Sequence, residues 1–393
     1  MTGNRPAQAA GSQEDRIDIR PLAAGATVTD FLRVADHVYA DDPAWVPPLR
    51  LERRLHLSRR NPFTHHACWQ GWVAWRQGRP VGRITAQVDE LHRARYGADT
   101  GHFGFLDAID DDAVFRELTR VAEDWLARRG TRRITGPFHF SVNQECGLLV
   151  DGFDEPPAIM MPHGRPWFAQ HLEGQGYQGV RDLFAYKVAT DFTPPPAFVG
   201  IADRFRDRIR VRPLDRNNLR GELECLRGLF NDAWAGNFAF VPFTRAEFAE
   251  LGQLLIRLLD DDQVQIAELD GEPAAFIVGL PDLNQAIRDL NGRLLPGGWL
   301  RLLWRVRRHR LTRGRVPLMG VRRCYQNTPL GTALAWGVVA AVRDALLARG
   351  IEQTEMSWIL EDNTGMRKLA ERIGGVAYKR YRLYEKTIAP CAT

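Results

Sequence analysis

The segment with the clearest chemical character lies at 326–332, QNTPLGT, between the strand-like run VPLMGV and a long apolar helical run. A helix that begins at Gly331 and Thr332 presents unpaired backbone N–H groups and the positive end of its dipole there. Arg322 and Arg323 stand just before the turn and add positive charge. These features predict a site for a pyrophosphate group, although a plain strand-to-helix turn has the same local pattern.

The sequence contains no metal-site motif and no nucleophile motif that would suggest a different chemistry. The cysteines are odd in number, widely scattered and without CxxC spacing: Cys68, Cys146, Cys225, Cys324 and Cys391. This pattern argues against a zinc site and against a disulfide framework, and it fits a reducing cytoplasm. No Ser-His-Asp arrangement stands out either. We therefore expect no metal.

The composition is that of a globular protein large enough for two domains. Of the 393 residues 45% are hydrophobic, so the chain can bury large cores. A net charge of +5 and a pI near 9.1 favour an anionic partner or surface. Residues 1–15 are expected to form a disordered tail, and no window reaches the roughly 18 apolar residues of a membrane span. We expect a cytoplasmic protein, with any contact to the inner face of the membrane being peripheral.

The elements around the turn belong to an internal repeat. RIDIRPL at 16–22 matches RIRVRPL at 208–214, and WVP and GRPV are followed in the second half by FVP and GEPA at nearly the same offset. Self-similarity at a fixed offset indicates one fold unit built twice. The proline-rich segment at 190–206 is predicted to be the linker. It divides the chain into domains at 16–189 and 207–388.

Each copy has the same predicted order: strand, two helices, three strands, helix, strand, helix, strand. The strands are short runs rich in β-branched and aromatic residues, and the helix after the turn has apolar positions at 3.6 spacing. The fold class is therefore α/β, with two tandem units, each a mixed and mostly antiparallel sheet covered by helices on both faces. The offset between matching segments grows late in the second copy, which places an insertion at about 283–316. The first copy has its own elongated loop, HFSVNQECGLLVDGFDEPPAIM.

The second copy resembles the GNAT superfamily of acyl-CoA N-acyltransferases, through the strand–turn–helix above and the following WILEDNTGMRKLAERIGG and YRLYEK. The family pattern [Q/R]-x-x-G-x-[G/A], whose amides hold the pyrophosphate of CoA, falls on residues 326–331, with Pro329 in place of the first glycine. The resemblance implies acyl-CoA or acetyl-CoA as co-substrate. It assigns the binding to Val321, Arg322, Arg323, Gln326, Asn327, Thr328, Leu330, Gly331, Thr332 and Asn363.

Only the second copy is expected to bind CoA. The resemblance covers 207–388 by motifs, but 16–190 only by the repeat and the order of elements. In the first copy the same turn carries Asp110, Asp111 and Asp112, which would repel a pyrophosphate.

Members of this family use a carboxylate or water to deprotonate the amine and a tyrosine to protonate the thiolate. The family's tyrosine position is occupied here by Ala370. Tyr384 or Tyr381 could replace it, although tyrosines in a terminal strand commonly serve packing.

The carboxylate candidates are Glu361, which follows the strand TEMSWIL, and Glu145 in the elongated loop of the first copy, close to Asn143. Long elaborated loops tend to carry function, although such residues also satisfy loop backbone groups. For the segment around Glu361 and Asn363, the alternative is a helix N-cap.

The basic stretch at 297–315, GGWLRLLWRVRRHRLTRGR, has three interpretations. On a helical wheel its apolar side carries Trp299, Leu302, Leu303 and Val306, flanked by Leu300 and Trp304, and its basic side carries Arg301, Arg305 and Arg308, with Arg307 and Arg310 breaking the pattern. This predicts a peripheral membrane element or a lid over a lipid chain, or a solvated helix packed on its domain. Nucleic acid is unlikely as a partner, because no helix-turn-helix, finger or aromatic platform is recognisable.

Aromatic and amide side chains near the turn are predicted to bind the acceptor. They are Trp234, Asn237 and Phe238 of the loop NDAWAGNFAFVPF, together with Trp299 and Trp304 of the insertion. The resemblance is to a bacterial subgroup linked to N-acylation of long-chain amino lipids, as in bacterial ceramide synthesis. It implies transfer of a long acyl group to a lipophilic amine such as a sphingoid base. Acetylation of a small amine or peptide, and non-catalytic binding of CoA or lipid, remain as alternatives.

Overall fold

The fold is known from a computed structural model, which describes residues 16–22, 25–256, 259–307 and 311–389. The predicted tail at 1–15 lies outside the described residues, as do Cys391, Arg308, Arg310 and the side chain of Arg307.

The elements follow the predicted order in both copies, except that the first copy has an additional helix between its third and fourth strands and three short strands before its last helix. The first copy contains β1 (Asp18–Pro21), α1 (Val28–Val38), α2 (Arg50–His56), β2 (Ala67–Arg76), β3 (Arg79–Asp89), α3 (Glu90–Tyr96), β4 (Thr100–Ala108), α4 (Asp112–Ala127), β5 (Arg133–Gly136), β6 (Phe138–His139), β7 (Glu145–Cys146), β8 (Leu148–Asp151), α5 (Trp167–Gly174) and β9 (Gln178–Ala189). After α6 (Pro196–Asp203), the second copy contains β10 (Ile209–Pro213), α7 (Leu219–Ala233), α8 (Arg245–Ile256), β11 (Val264–Leu269), β12 (Glu272–Pro281), α9 (Leu283–Ile287), α10 (Gly298–Arg307), β13 (Arg313–Val321), α11 (Pro329–Leu347), β14 (Gln353–Leu360), α12 (Thr364–Arg372) and β15 (Val376–Thr387).

The predicted α/β class is confirmed, and the two copies share one sheet. Its order is β1-β2-β3-β4-β5-β15-β9-β14-β13-β12-β11-β10, with β8 beside β15. Among the described strands only the pairs β4–β5 and β13–β14 are parallel. The repeated RIxxRPL segments form β1 and β10, the two outer strands. All nine residues of β4 are buried, because helices cover both faces of the sheet at that point.

The last strands of the two copies are exchanged. β15, from the end of the second copy, pairs antiparallel with β5 of the first copy, and Tyr384 lies opposite Gly136. β9, from the end of the first copy, pairs antiparallel with β14 of the second, and Lys187 lies opposite Glu355. β15 and β9 also pair with each other. The sheet of each copy is therefore completed by the other, while the domain division proposed from the sequence stays a prediction.

The predicted linker at 190–206 contains the helix α6. Phe198 of this helix is buried, and its ring centroid lies 5.7 Å from that of Trp336 in α11. The prolines at its start suit the first turn of a helix, where their missing N–H groups have no intrahelical acceptor. The connection between the copies is thus packed against the second one.

Helix α11 lies at the centre of the second copy. Contrary to the expectation that no segment suffices for a membrane span, α11 is long and apolar enough to cross one, alone among the described helices, and half of its apolar window is buried in the protein. A core helix of a globular protein passes the same test. Its buried residues face β11 and β12 and include Leu334, Val338 and Val342.

The predicted insertion forms α9, a short helical turn and α10, and it ends where β13 begins at Arg313. The helical wheel is partly wrong for α10. Leu302 and Val306 pack against the second copy, but Trp299 and Leu303 remain exposed. Arg305, predicted on the solvent side, turns inward and binds Asp289 at 2.6 Å and the carbonyl of Ala286. Because α10 is short and packs beside α9, it buries only a narrow part of its apolar side. The rest of that side remains exposed to solvent.

Candidate functional site

The strands β13 and β14 run side by side only at their beginnings. Their parallel pairing extends from Arg313 opposite Gln353 to Val316 opposite Met356 and then stops. Just beyond this point β14 shifts its register against β9, between Met356 and Ile359. The carboxyl halves of the two strands therefore separate and leave an opening in the sheet. In α/β sheets ligands commonly bind at the carboxyl ends of parallel strands.

The turn after β13 differs in detail from the prediction. Helix α11 begins at Pro329, and Thr328 is its N-cap. The Thr328 hydroxyl accepts the Gly331 N–H at 3.0 Å, and the Thr328 carbonyl accepts the Thr332 N–H. The expectation that Gly331 and Thr332 present unpaired N–H groups is therefore wrong. The unpaired groups lie earlier: the N–H groups of Asn327, Thr328 and Leu330 have no acceptor among the described residues.

Gly331 is required by the close approach of the turn to the helix. A Cβ at this position would overlap the carbonyl oxygen of Tyr325. Asn327 has a φ of 59°, the left-handed region that asparagine tolerates better than most residues. The turn thus folds its free N–H groups around the start of α11, where the helix dipole adds positive potential.

The polar side chains before the turn anchor it. The Gln326 side chain donates to the carbonyls of Ala233 and Val321, and Arg322 donates to the carbonyl of Pro273. Arg323 is exposed, and its backbone N–H is held by Asp232 at 2.8 Å. Of the predicted cationic residues, Arg323 is the better placed to meet an anion from solvent.

In the first copy the equivalent opening is filled. β4 and β5 pair from Thr100 to His102 and then separate. The backbone of Phe138 enters the gap so closely that a Cβ on Gly104 would overlap its carbonyl oxygen, and Gln87 donates to that oxygen at 2.8 Å. Helix α4 is capped by Asp111, which also binds Arg76. These contacts support the prediction that CoA binds only to the second copy.

The elongated loop of the first copy crosses to the second. Asn143 donates through its side chain to the carbonyl of Val241 at 2.6 Å. Farther along, the N–H of Ile159 binds Asp282 at 2.8 Å, and its carbonyl accepts from Arg315 of β13. Burial raises the pKa of Asp282 to about 6, although two backbone N–H groups oppose the shift. The predicted functional loop therefore covers the opening between β13 and β14.

Glu145, the predicted carboxylate of this loop, forms an ion pair with Arg53 of α2. Burial raises the pKa of Glu145, but the charge of Arg53 and its hydrogen bond to the carboxylate outweigh burial, so the net shift is downward. Burial lowers the pKa of His56 and His139 to about 4, so both rings are neutral at pH 7. A carboxylate that accepts a hydrogen bond directly from an arginine, as Glu145 does from Arg53, is a weak proton acceptor.

A buried polar cluster that we did not predict lies at the base of the opening, where the last paired residues of β13 and β14 include Arg315 and Glu355. Ser357 of β14 donates to Glu355, and the Tyr378 hydroxyl donates to the other oxygen of the same carboxylate. Arg315 of β13 donates to the Ser357 hydroxyl at 3.0 Å, and its Nε lies 3.7 Å from Glu355. Tyr381 of β15 is fully buried, and its hydroxyl has no hydrogen-bond partner among the described residues.

The charges of this cluster act on Tyr381. Burial raises the pKa of Tyr381 well above its ordinary value, and the negative charge of Glu355 raises it further against the opposing charge of Arg315. Burial also raises the pKa of the neighbouring Cys146 thiol, which argues against a thiolate nucleophile. We name the set Arg315, Glu355, Ser357, Tyr378 and Tyr381 the interstrand cluster.

The remaining predicted residues lie elsewhere. Glu361 is half-exposed and binds Arg181 at 3.3 Å, and Asn363 caps α12 by accepting from Met366. Both stand at the carboxyl end of β14, on the sheet edge that carries the turn at 326–331, and the N-cap interpretation holds for Asn363. Tyr384 is buried in the first-copy core and donates to Glu173 at 3.1 Å.

The aromatic residues divide into two groups. Trp234 donates to the carbonyl of Met319 on β13 at 3.0 Å, and Phe238 packs in the core that contains Tyr381. Asn237 closes the turn between them through its backbone bond to the Trp234 carbonyl. Trp299 and Trp304 are 47% and 46% exposed on α10 and lie apart from that core.

Sequence reasoning had a signal for the interstrand cluster. In TEMSWIL the polar residues Glu355 and Ser357 alternate, so they share one face of a strand that is otherwise apolar. A charged residue on an inner strand needs a partner, and Arg315 on the adjacent strand supplies it. Within the described ranges, no group of three or more His, Cys, Asp or Glu side chains could hold a metal ion.

Two units with a shared mixed sheet, a capped turn and an opening between parallel strands define a tandem GNAT fold. No protein-family model matches the chain. A tandem GNAT protein from the clavulanic acid biosynthesis pathway has a TM-score of 0.56 and 15% identity, covering 96% of this chain and 100% of that one. A GCN5-related N-acetyltransferase from Sphaerobacter thermophilus has a TM-score of 0.53 and 16% identity over 96% and 97% of the two chains.

Two relatives are more similar to this chain in sequence. Protein YghO of Escherichia coli K12 is 52% identical over 359 residues, which cover 91% of this chain and 92% of that protein. The bacterial ceramide synthase of Caulobacter vibrioides is 41% identical over 375 residues, covering 95% and 98%. The chain therefore belongs to the GNAT superfamily of N-acyltransferases, in the group that includes these two proteins.

Proposed function

We propose that the protein transfers a long acyl group from acyl-CoA to the amine of a lipophilic acceptor such as a sphingoid base. The observation that carries this proposal is the interstrand cluster at the base of the opening, with a buried carboxylate and a tyrosine hydroxyl that has no hydrogen-bond partner among the described residues. The turn at 326–331, which we name the CoA turn, follows the other end of β13. The name of the Caulobacter relative supports the choice of a lipid acceptor.

Acyl-CoA would bind with its pyrophosphate at the start of α11. The free N–H groups of Asn327, Thr328 and Leu330 are the donors, and Arg323 adds an exposed cation. The pantetheine arm would then extend into the opening between β13 and β14, where the strand edges have lost their pairing and their backbone groups are available. This arrangement brings the thioester to the interstrand cluster.

The reaction needs one proton removed and one supplied. The amine nitrogen attacks the thioester carbonyl, a C–N bond forms, and the C–S bond breaks to release the thiolate of CoA. The amine proton passes to the Ser357 hydroxyl, which gives its own proton to Glu355. Tyr381, which is protonated at neutral pH, gives its proton to the thiolate. Solvent then returns the proton from Glu355 to Tyr381.

A lipophilic acceptor fits the surroundings of the cluster. The core shared by the copies is lined by Phe238, Trp358, Val142 and Leu360, all partly buried apolar residues at its margin. An apolar chain gains free energy by replacing water there, at about 25 cal/mol per Å² of apolar surface. A small polar amine would gain little from the same surface.

The test is an assay of the purified protein with palmitoyl-CoA or acetyl-CoA and either sphinganine or small amines, with detection of the amide by mass spectrometry and of free CoA by a thiol reagent. We expect N-palmitoyl sphinganine and an equal amount of CoA. Tight binding of acyl-CoA without release of CoA would instead indicate a binding protein. Faster acetylation of small amines would contradict the lipid acceptor.

The two candidate tyrosines provide a sharper test of the mechanism. We expect Tyr381→Phe to lower kcat about 100-fold with little change in KM, since loss of a general acid typically costs this much. Tyr384→Phe, at the same strand but in the first-copy core, should keep kcat near the wild-type value. If Tyr384→Phe lowers kcat and Tyr381→Phe does not, the proton donor is Tyr384.

A further inference from the structure

Exposed apolar side chains are concentrated on one part of the molecule. Nine large hydrophobic residues are exposed among the described residues. Two of them, Val199 and Val376, lie apart. The other seven belong to α2 and to residues 295–304: Leu51, Leu55, Leu295, Trp299, Leu300, Leu303 and Trp304. Single exposed leucines need no explanation, but such a concentration marks an interaction surface.

The two segments form one continuous surface, although they come from different copies. The N–H of Arg50, the first residue of α2, donates to the carbonyl of Gly292 at 3.0 Å. A small core of Val46, Ile287 and Leu290 lies beneath, and Leu302 of α10 packs against it. We name the exposed faces of α2 and of residues 292–304 the α2–α10 surface.

Contacts on the inner side of α10 fix which side chains point outward. Arg305 is held by both oxygens of Asp289 at 2.6 and 2.8 Å, and Leu302 and Val306 pack inward. The helix therefore cannot turn its tryptophans into the protein without losing these contacts. Its outer face remains apolar with Trp299 and Trp304 at its centre, the residues that favour the boundary between lipid and water.

The charge of the α2–α10 surface is positive. Arg54, Arg293 and Arg301 are exposed on its two segments, and Arg59 and Arg60 are exposed just after α2. The acidic neighbours are Glu52 and Asp289, and Asp289 is already bound to Arg305. Each arginine near an anionic lipid surface adds favourable energy over a distance of about a Debye length. The apolar face and its basic border together fit lipid phosphates and acyl chains.

We propose that the α2–α10 surface docks the protein on an anionic lipid bilayer. Leu51, Leu300 and Leu303 enter the region of the headgroups and upper acyl chains, the tryptophans lie at the interface, and the arginines contact lipid phosphates. The docking does not depend on which acceptor is acylated, because it can be measured without turnover. A second copy of the chain is the competing occupant of this surface.

The experiment uses the full-length protein and flotation with vesicles of phosphatidylcholine, with or without phosphatidylglycerol. We expect the wild type to float with the anionic vesicles, to float far less with the neutral ones, and to be released by high salt. The double variant Leu51→Glu and Leu300→Glu should lose at least about 10-fold in partitioning, because carboxylates do not enter the interface.

The matched control is Val199→Glu with Val376→Glu, which adds the same charge at the two exposed valines outside the surface. It should float like the wild type, and circular dichroism should show that both variants are folded. Equal loss in both double variants, or no flotation of the wild type, would overturn the proposal. So would a concentration-dependent dimer in light scattering that the Leu51 and Leu300 changes abolish while flotation stays absent.

Discussion

Gly331 and Pro329 have opposite backbone properties, and the CoA turn uses both. Pro329 starts α11 without an N–H group, and Thr328 caps the helix from outside. Gly331 lets the first helical turn lie against the Tyr325 carbonyl. The proline, which departs from the family pattern, therefore removes a donor at a position where a helix tolerates the loss.

Gly331→Ala should weaken CoA binding, because its Cβ would displace the Tyr325 carbonyl and with it the free N–H groups of the turn. We expect the dissociation constant for CoA, measured by isothermal titration, to rise about 10-fold, equivalent to about 1.4 kcal/mol. Gly200→Ala in α6, where a Cβ meets no atom within 4 Å, is the control. Unchanged affinity in the Gly331 variant would remove the turn from the CoA site.

For individual residues, the sequence predicts the position of the turn better than the positions of the proposed catalytic groups. The turn is a local pattern of neighbouring residues, so Gln326 to Gly331 could be located from it. Glu355, Arg315 and Tyr381 lie on three strands, and their contact depends on sheet order. The length of its loop predicts a functional Glu145, but Arg53 of α2, which is far away in the sequence, binds this carboxylate.

Helix α8 of the second copy contacts the first copy through His66, which lies between two carboxylates. His66 Nδ1 lies 2.9 Å from Asp89, and its Nε2 lies 3.2 Å from Glu247 of α8. Burial lowers the pKa of His66, but its interactions with the carboxylates of Asp89 and Glu247 outweigh burial and raise it to about 9. This contact joins the copies on a part of the fold distant from the exchanged strands.

The stability of this contact should depend on pH. Because the folded-state pKa of about 9 exceeds the unfolded value near 6.5, the contribution is complete below about pH 6.5 and is lost as the pH rises through 9. The shift corresponds to about 3 kcal/mol. The difference in Tm between the wild type and His66→Gln should be large at about pH 6 and small at about pH 10. His37→Gln, at an exposed histidine of α1, serves as the control, and a pH-independent difference for His66 would contradict the ion pair.

The repeat predicted the order of elements because local patterns recur in each copy. The helix in the linker was missed, since TPPPAF reads as extended chain while Phe198 folds back onto Trp336. The helical wheel of α10 predicts that Arg305 faces solvent, because a wheel includes only residues of the helix itself. The partner of Arg305 is Asp289, which lies in the short helical turn between α9 and α10. Both the helix in the linker and the orientation of Arg305 depend on contacts with residues outside the local sequence segment.

For the whole molecule, the exchange of β9 and β15 makes each copy depend on the other. Either last strand has the alternating pattern that the vacant sheet position needs, so the sequence does not show which copy it joins. The repeat suggests two separable domains, whereas the pairing of β15 with β5 and of β9 with β14 shows one sheet.

The first copy should therefore not fold alone. Residues 1–192 expressed by themselves leave β5 without β15 and β9 without β14, and we expect a protein that aggregates or lacks cooperative melting. Co-expression with residues 193–393 should restore a folded, stable pair. A monomeric first half with a sharp thermal transition would show that the exchange is not required.

The position of β15 also governs how the protein is made. A ribosome releases the chain from its N-terminus, so β5 at Arg133–Gly136 emerges long before Val376–Thr387, its neighbour in the sheet. Until β15 has been translated, β5 of the first copy lacks one of its two neighbouring strands. Slow synthesis or early termination would leave an unpaired strand edge exposed, and chaperones bind such edges. The sheet can therefore be completed only after β15 has been synthesised.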